Sequence, residues 1–263
     1  MVLSSRARIL RRLIPLFLAL VMLPPLGARG KKETPNTAGK RVVASTSWVA
    51  AVARASGAED VRVLAPLSFR HPPEYELKPS DLAAAAEADL IIYAAWEPFA
   101  SRLADTAGSA GTAQLVINPT NSPEALLADA RKIAAVLGTE ERCEAWWRTF
   151  EPFAEGIRAE VDAAYPVKRA VVQRMQSPFA RWLGFEPAGE YGPAEPSPAV
   201  ILEMVRLGPA LVIDNYHGPS GRPIAEASGA AYAELINFPG KDGTLSLEDV
   251  FRYNARILLE AAR

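Results

Sequence analysis

Residues 71–81 read HPPEYELKPSD and separate two apolar runs, VRVLAPL at 61–67 and LIIYA at 90–94. The first run is rich in β-formers, and the second is bounded by the alanine-rich stretch that opens at Pro79-Ser80-Asp81. The pattern predicts strand, loop, helix, strand. Ser80 is a good N-cap and Pro79 cannot continue a helix backwards, so the loop is expected to end sharply there. Loops at the carboxyl ends of strands are where α/β proteins bind ligands. His71, one of only two histidines in the chain, is therefore a candidate ligand, with a solvated loop histidine as the plainer alternative.

The same alternation extends both ways from this loop. Residues 41–46 (RVVAST) read as a buried strand leading into a helix that Gly57 stops. After LIIYA come Trp96-Glu97-Pro98-Phe99, a helix to about residue 107, a strand at 114–117, a loop at 118–123 and an amphipathic helix at 124–137. Strand followed by helix throughout argues for a parallel sheet with right-handed crossovers. Residues 139–165 then read as one long helix, or two collinear ones, in which Trp146, Phe150, Phe153 and Ile157 form an apolar stripe despite Pro152 and Gly156. A second series follows: strand 170–172, loop 173–178, helix 199–207, strand 211–213, loop 214–219, helix 224–229, strand 233–236, loop 237–243 and a helix from Ser246. The expected fold is α/β, with two lobes of mostly parallel sheet joined by a long rigid backbone helix. The N-terminal lobe covers 40–138, the linker helix 139–165 and the C-terminal lobe 166–263, with the loops of both sheets around a shared cleft.

At the amino terminus, Arg6, Arg8, Arg11 and Arg12 precede the apolar run 13–23, and Pro24, Pro25, Gly27 and Ala28 end it. This is the layout of a secretory signal over residues 1–28, with an uncleaved anchor as the alternative. Residues 29–39 read as a flexible leader. Removal of the signal deletes four arginines and no acid, taking the formal net charge from −1 to −5. A mildly acidic exported protein is a poor binder of nucleic acid. The single cysteine, Cys143, rules out an intramolecular disulfide, so stability has to come from a packed core.

Several of these segments together carry a resemblance. Tyr75-Glu76-Leu77-Lys78-Pro79-Ser80-Asp81, Ala88-Asp89-Leu90, Trp96-Glu97-Pro98-Phe99, Asn118-Pro119, Glu195-Pro196-Ser197-Pro198 and Arg252-Tyr253-Asn254 resemble the zinc- and manganese-binding extracytoplasmic solute-binding proteins of ABC importers. The resemblance covers about residues 40–263. It implies a monomeric periplasmic protein that delivers a divalent metal ion, zinc or manganese, to an ABC permease and its ATPase, meeting the membrane only through the permease or an uncleaved signal.

The positions that hold metal in that family depart from its pattern. The register places Pro73, Thr120, Gln176 and Asn237 where the family has its ligands. The neutral residues among them suit a polar ligand or a water better than a bare cation. Against this loss stand His71, Asp214 and His217, residue types suited to zinc and expected around one cleft. Two further readings stay open: a small organic solute or metal chelate as ligand, and an accessory role without metal. Met175 offers a thioether suited to copper but reads more simply as packing, as do Trp48, Tyr93, Trp96, Trp182 and Tyr191. Asp214, His217 and Ser220 are the residue types of a hydrolase triad but crowd one loop, with no nucleophile elbow and no phosphate loop in the chain. The expectation is a protein that is not an enzyme.

Overall fold

The computed structural model describes residues 39–70 and 74–263, which fall in one compact unit, Thr37–Arg263. The signal expected over 1–28 and nearly all of the leader lie outside the described residues, as do His71 and Pro73. Among the described residues, no helix is long and apolar enough to cross a membrane.

The N-terminal lobe contains β1 (Arg41–Ala44), α1 (Ser47–Ala55), β2 (Asp60–Val63), α2 (Pro79–Glu87), β3 (Leu90–Ala94), α3 (Ala100–Ala110), β4 (Ala113–Ile117) and α4 (Pro123–Leu137). Its sheet has the order β2-β1-β3-β4, with every pairing parallel. The central β3 is buried along its whole length, as a strand covered by helices on both faces must be, and this explains its unbroken apolar run. The N-cap of helix α2 lies two residues before the expected one. Lys78 takes the N-cap position, Pro79 opens the helix, and the Asp81 carboxylate accepts from the Lys78 main-chain N–H at 2.9 Å. Proline at the first helical position costs nothing, because that N–H has no intrahelical partner anyway. Tyr75 of the proline loop is buried edge-on against Phe69 and Phe99 and donates to Asp81 Oδ2 at 2.6 Å. The loop that organises the sequence is thus anchored in the core of its lobe.

Helix α5 (Glu140–Ala164) links the lobes as one element through Pro152. Its predicted stripe faces inward. Trp146 stacks on Phe150 with ring centroids 4.7 Å apart, and Phe150 meets Phe251 edge-on at 5.1 Å. One apolar cluster runs from α1 and α4 through α5 into the second lobe, joining Val49, Ile133, Phe150, Phe179 and Phe251. The two lobes share a core at this end, and a shared core resists hinge bending.

The C-terminal lobe repeats the plan with β5 (Arg169–Gln173), a 3-10 turn (Arg174–Gln176), α6 (Ser177–Trp182), β6 (Glu186–Tyr191), α7 (Pro198–Arg206), β7 (Leu211–Asn215), α8 (Arg222–Ser228), β8 (Ala231–Leu235) and α9 (Leu247–Ala261). Its sheet order is β6-β5-β7-β8, again all parallel. Strand β6 and helix α6 depart from the sequence reading, which passed over the first and took 173–178 as loop. EPAGEY forms a strand because it lies at the sheet edge, where Pro187 needs no ladder partner on its outer side. Gly189 is required there, since a Cβ would stand 2.5 Å from Leu207 and 2.8 Å from the Met204 sulfur.

Candidate functional site at the lobe seam

In both sheets the strand order reverses between the first and third strands of the lobe, and the loops leaving those strands flank the crevice that forms there. In the N-terminal lobe this brings together Ser45, Thr46 and Ser47 after β1 with Glu97 after β3. Glu97 is buried and accepts from Ser45 Oγ at 2.9 Å and from the Ala94 N–H at 3.3 Å. Burial pushes its carboxyl up to about 7, against hydrogen bonds that favour the ionised form.

The two sets of loops meet directly. Ser47 Oγ donates to the Pro239 carbonyl at 2.8 Å, and Asn121 Nδ2 donates to the Asn237 carbonyl at 2.7 Å. Arg70 Nε donates to the Tyr216 carbonyl at 2.7 Å, with the guanidinium 4.3 Å over the Tyr216 ring. In return, His217 Nδ1 lies 2.9 Å from the Arg70 carbonyl. A carbonyl only accepts, so Nδ1 carries the proton in this bond. The His217 ring stacks on Phe238 at 3.5 Å, and Phe238 packs against Trp48 at 5.9 Å.

Of the family-register positions, Gln176 and Asn237 come together, Gln176 Nε2 donating to Asn237 Oδ1 at 2.6 Å and to the Leu235 carbonyl at 3.2 Å. Both residues are buried. Thr120 is half-buried and donates to the Asn118 carbonyl at 3.3 Å, while its neighbour Asn121 reaches the other lobe. Sequence reading missed Asn121, whose only signal was adjacency to Thr120.

Asp214, expected as a ligand, has another task. Its fully buried carboxylate accepts from the N–H groups of Asn215 at 2.9 Å, Ser220 at 3.0 Å and Gly221 at 2.7 Å, and from the Tyr232 hydroxyl at 2.7 Å. Four donors within its own lobe saturate it, so it shapes the loop that presents His217 rather than facing a ligand. Its charge in turn helps burial raise the Tyr232 hydroxyl above the usual phenol range. Met175 is 46% exposed and Trp96 equally so, which removes the packing reading for both; Trp48, Tyr93, Trp182 and Tyr191 are buried as packing predicts.

Above the seam lies an open hollow of about 600 Å³ lined by Ser68, Phe69, Arg70, Glu74, His217, Gly218 and Pro219. Glu74 is a second lining residue with metal-binding chemistry that the sequence reading passed over. Among the described residues no group of three or more His, Cys, Asp or Glu is gathered to hold a metal ion.

No protein-family model matches the chain. No curated protein matches it either. Solved structures do. A mutant of the laminin-binding adhesin Lmb from Streptococcus agalactiae is 19% identical, with a TM-score of 0.67, over 86% of this chain and 100% of that one. FpvC from Pseudomonas aeruginosa, a solute-binding protein in complex with Mn2+, is 16% identical, with a TM-score of 0.66, over 85% and 98%. A Mn-bound periplasmic metal-binding protein from Candidatus Liberibacter asiaticus is 17% identical, with a TM-score of 0.62, over 85% and 100%. These are binding proteins and an adhesin rather than enzymes. The chain has the two-lobed α/β fold of metal-binding solute-binding proteins.

Proposed function

We propose that this is an exported, periplasmic solute-binding protein that captures a divalent transition metal, zinc or manganese, and hands it as a monomer to an ABC permease and its ATPase. Support comes from the fold it shares with metal-bound proteins of this type and above all from His217. The Arg70 carbonyl accepts from its Nδ1, and metal-binding histidines commonly have one ring nitrogen oriented by a carbonyl in this way. Glu74 lines the same hollow and supplies a carboxylate suited to zinc and manganese. His71, which follows Arg70 directly in the chain, is the proposed third ligand. The metal is taken at the mouth of the seam and not at the family-register positions.

One observation favours a second reading, a metal chelate or small organic solute. The hollow of about 600 Å³ has the volume of a small-molecule site, and Phe69 and Pro219 give it apolar walls. Elemental analysis of protein purified without an affinity tag or chelator separates the two. Stoichiometric zinc or manganese supports the metal reading. Metal-free protein that neither ion stabilises against heat, but an organic solute or chelate does, replaces it with the second.

A further inference from the structure

In the family this chain resembles, the position between the lobes belongs to the cargo. Here it is filled by the protein's own amides. The Gln176 amide nitrogen is surrounded by three acceptors, Asn237 Oδ1 at 2.6 Å, the Leu235 carbonyl at 3.2 Å and Asn215 Oδ1 at 3.4 Å. That environment fixes the orientation of the amide, because the opposite flip would set an oxygen against three oxygens. Asn237 Oδ1, the acceptor a cation would use, is engaged by that nitrogen. The Asn237 carbonyl is engaged by Asn121 of the other lobe at 2.7 Å. With neutral groups only and the Asn237 oxygens committed, this cluster does not suit a naked divalent ion.

The cluster is one stitch of a longer seam. Ser47 to Pro239, Asn121 to Asn237 and the reciprocal pair formed by Arg70 with Tyr216 and His217 all cross between the lobes. Gly240, with φ of +138°, lies so close to the N-terminal lobe that a Cβ would stand 2.3 Å from the Leu67 carbonyl oxygen. Behind the seam the shared apolar core of α1, α4, α5 and α9 already limits opening. Each of these contacts is made by protein groups alone.

We infer that the family-register position has become a cargo-independent clasp, so that the free protein rests with its lobes shut and cargo arrives without lobe closure. This does not depend on the metal reading, since the clasp makes no use of His71, Glu74 or the Nε2 of His217. It carries a consequence for the partner: recognition by a permease has to rest on a change at the mouth of the seam, not on the angle between the lobes.

The test is a distance measurement between spin labels on cysteines placed at Val136 in α4 and Leu202 in α7. Both positions are exposed, and the native Cys143 is buried. The expected result is one narrow distribution, the same in the free protein and after addition of zinc or manganese. Gly240→Ala, which drives a methyl group into the Leu67 carbonyl, is expected to lengthen and broaden it, and Ser47→Ala with Asn121→Ala to broaden it. Circular dichroism confirms that each variant is folded, and Ser47→Ala alone, the mildest change, replaces any that is not. A free wild-type protein with a long or two-peaked distribution that contracts on adding metal overturns the clasp, as do folded seam variants with an unchanged distribution. Absence of metal binding together with a narrow, shut distribution removes the metal reading and leaves the clasp standing.

Discussion

The Tyr232 hydroxyl donates to Asp214 Oδ2 at 2.7 Å, beneath the loop that carries His217. Strands β7 and β8 are neighbours in the sheet, with Tyr232 opposite Val212, two positions before Asp214, so the hydroxyl reaches the carboxylate diagonally while three main-chain N–H groups also donate to it. Asp214→Ala leaves those N–H groups without their acceptor. It is expected to cost about 3 kcal/mol, the scale for losing buried hydrogen bonds to a charged group. Tyr232→Phe removes one bond of the set and is expected to cost about 1–2 kcal/mol. Urea denaturation of both variants checks this, and equal stability of Asp214→Ala and wild type would refute the structural role assigned to the carboxylate.

Glu97 gives the protein a pH dependence with a definite sign. Burial raises the carboxyl to about 7 in the folded chain from 4.5, so the folded state binds the proton more tightly than the unfolded state. The corresponding stability is fully present below pH 4.5 and is lost as pH rises through about 7. A rise of this size corresponds to about 3 kcal/mol at most, given about 1.4 kcal/mol for each pH unit. Thermal melts between pH 5 and pH 8 are expected to fall more steeply for wild type than for Glu97→Gln, which cannot titrate. Parallel slopes for the two proteins would show that Glu97 ionises freely in the fold.

What sequence reveals and what it hides follow physical lines. The central strands, long helix and lobe order are legible because burial on both faces leaves unbroken apolar runs such as LIIYA, and because the stripe from Trp146 to Ile157 keeps helical spacing. Strand β6 is hidden because its residues are set by position at a sheet edge, where proline and glycine are tolerated. The pairing of Gln176 with Asn237 is legible only through the family register, while Asn121 lies one residue outside it. Asp214 misleads for a different reason. A carboxylate beside a histidine on a post-strand loop looks the same in sequence whether it faces a ligand or caps its own loop, and only the direction of the N–H groups of Ser220 and Gly221 decides.

The linker helix makes a further prediction. Phe150 is fully buried where α5 meets α9, stacked on Trp146 and edge-on to Phe251. Phe150→Ala is expected to destabilise the protein by about 3–5 kcal/mol, through lost burial and the cavity left behind. Because one apolar cluster joins both lobes to this helix, unfolding of the variant should remain a single transition, with tryptophan fluorescence and far-UV circular dichroism coinciding. Two separated transitions would mean that the lobes hold independent cores.

His217 is where the proposed function meets a substitution that separates binding from folding. Nδ1 bridges the lobes to the Arg70 carbonyl, and Nε2 is the nitrogen proposed above as a metal ligand. The ring also stacks on Phe238 at 3.5 Å, so alanine would disturb both packing and chemistry. Asparagine keeps an N–H donor of similar reach for the Arg70 carbonyl while removing the aromatic nitrogen, and an amide is a poor ligand for zinc. His217→Asn gives up the stack on Phe238 and is therefore expected to melt below wild type without metal, though above His217→Ala, and to lose the stabilisation that zinc or manganese gives. Glu74→Gln is expected to weaken that stabilisation, read as the difference between metal-free and metal-loaded melting of the same variant, as it removes a charge and keeps the shape. For wild type the stabilisation should also fade as pH drops toward 5, because protons compete with metal for imidazole. Full metal-induced stabilisation in His217→Asn would remove this residue from the site and, with it, the location proposed for the cargo.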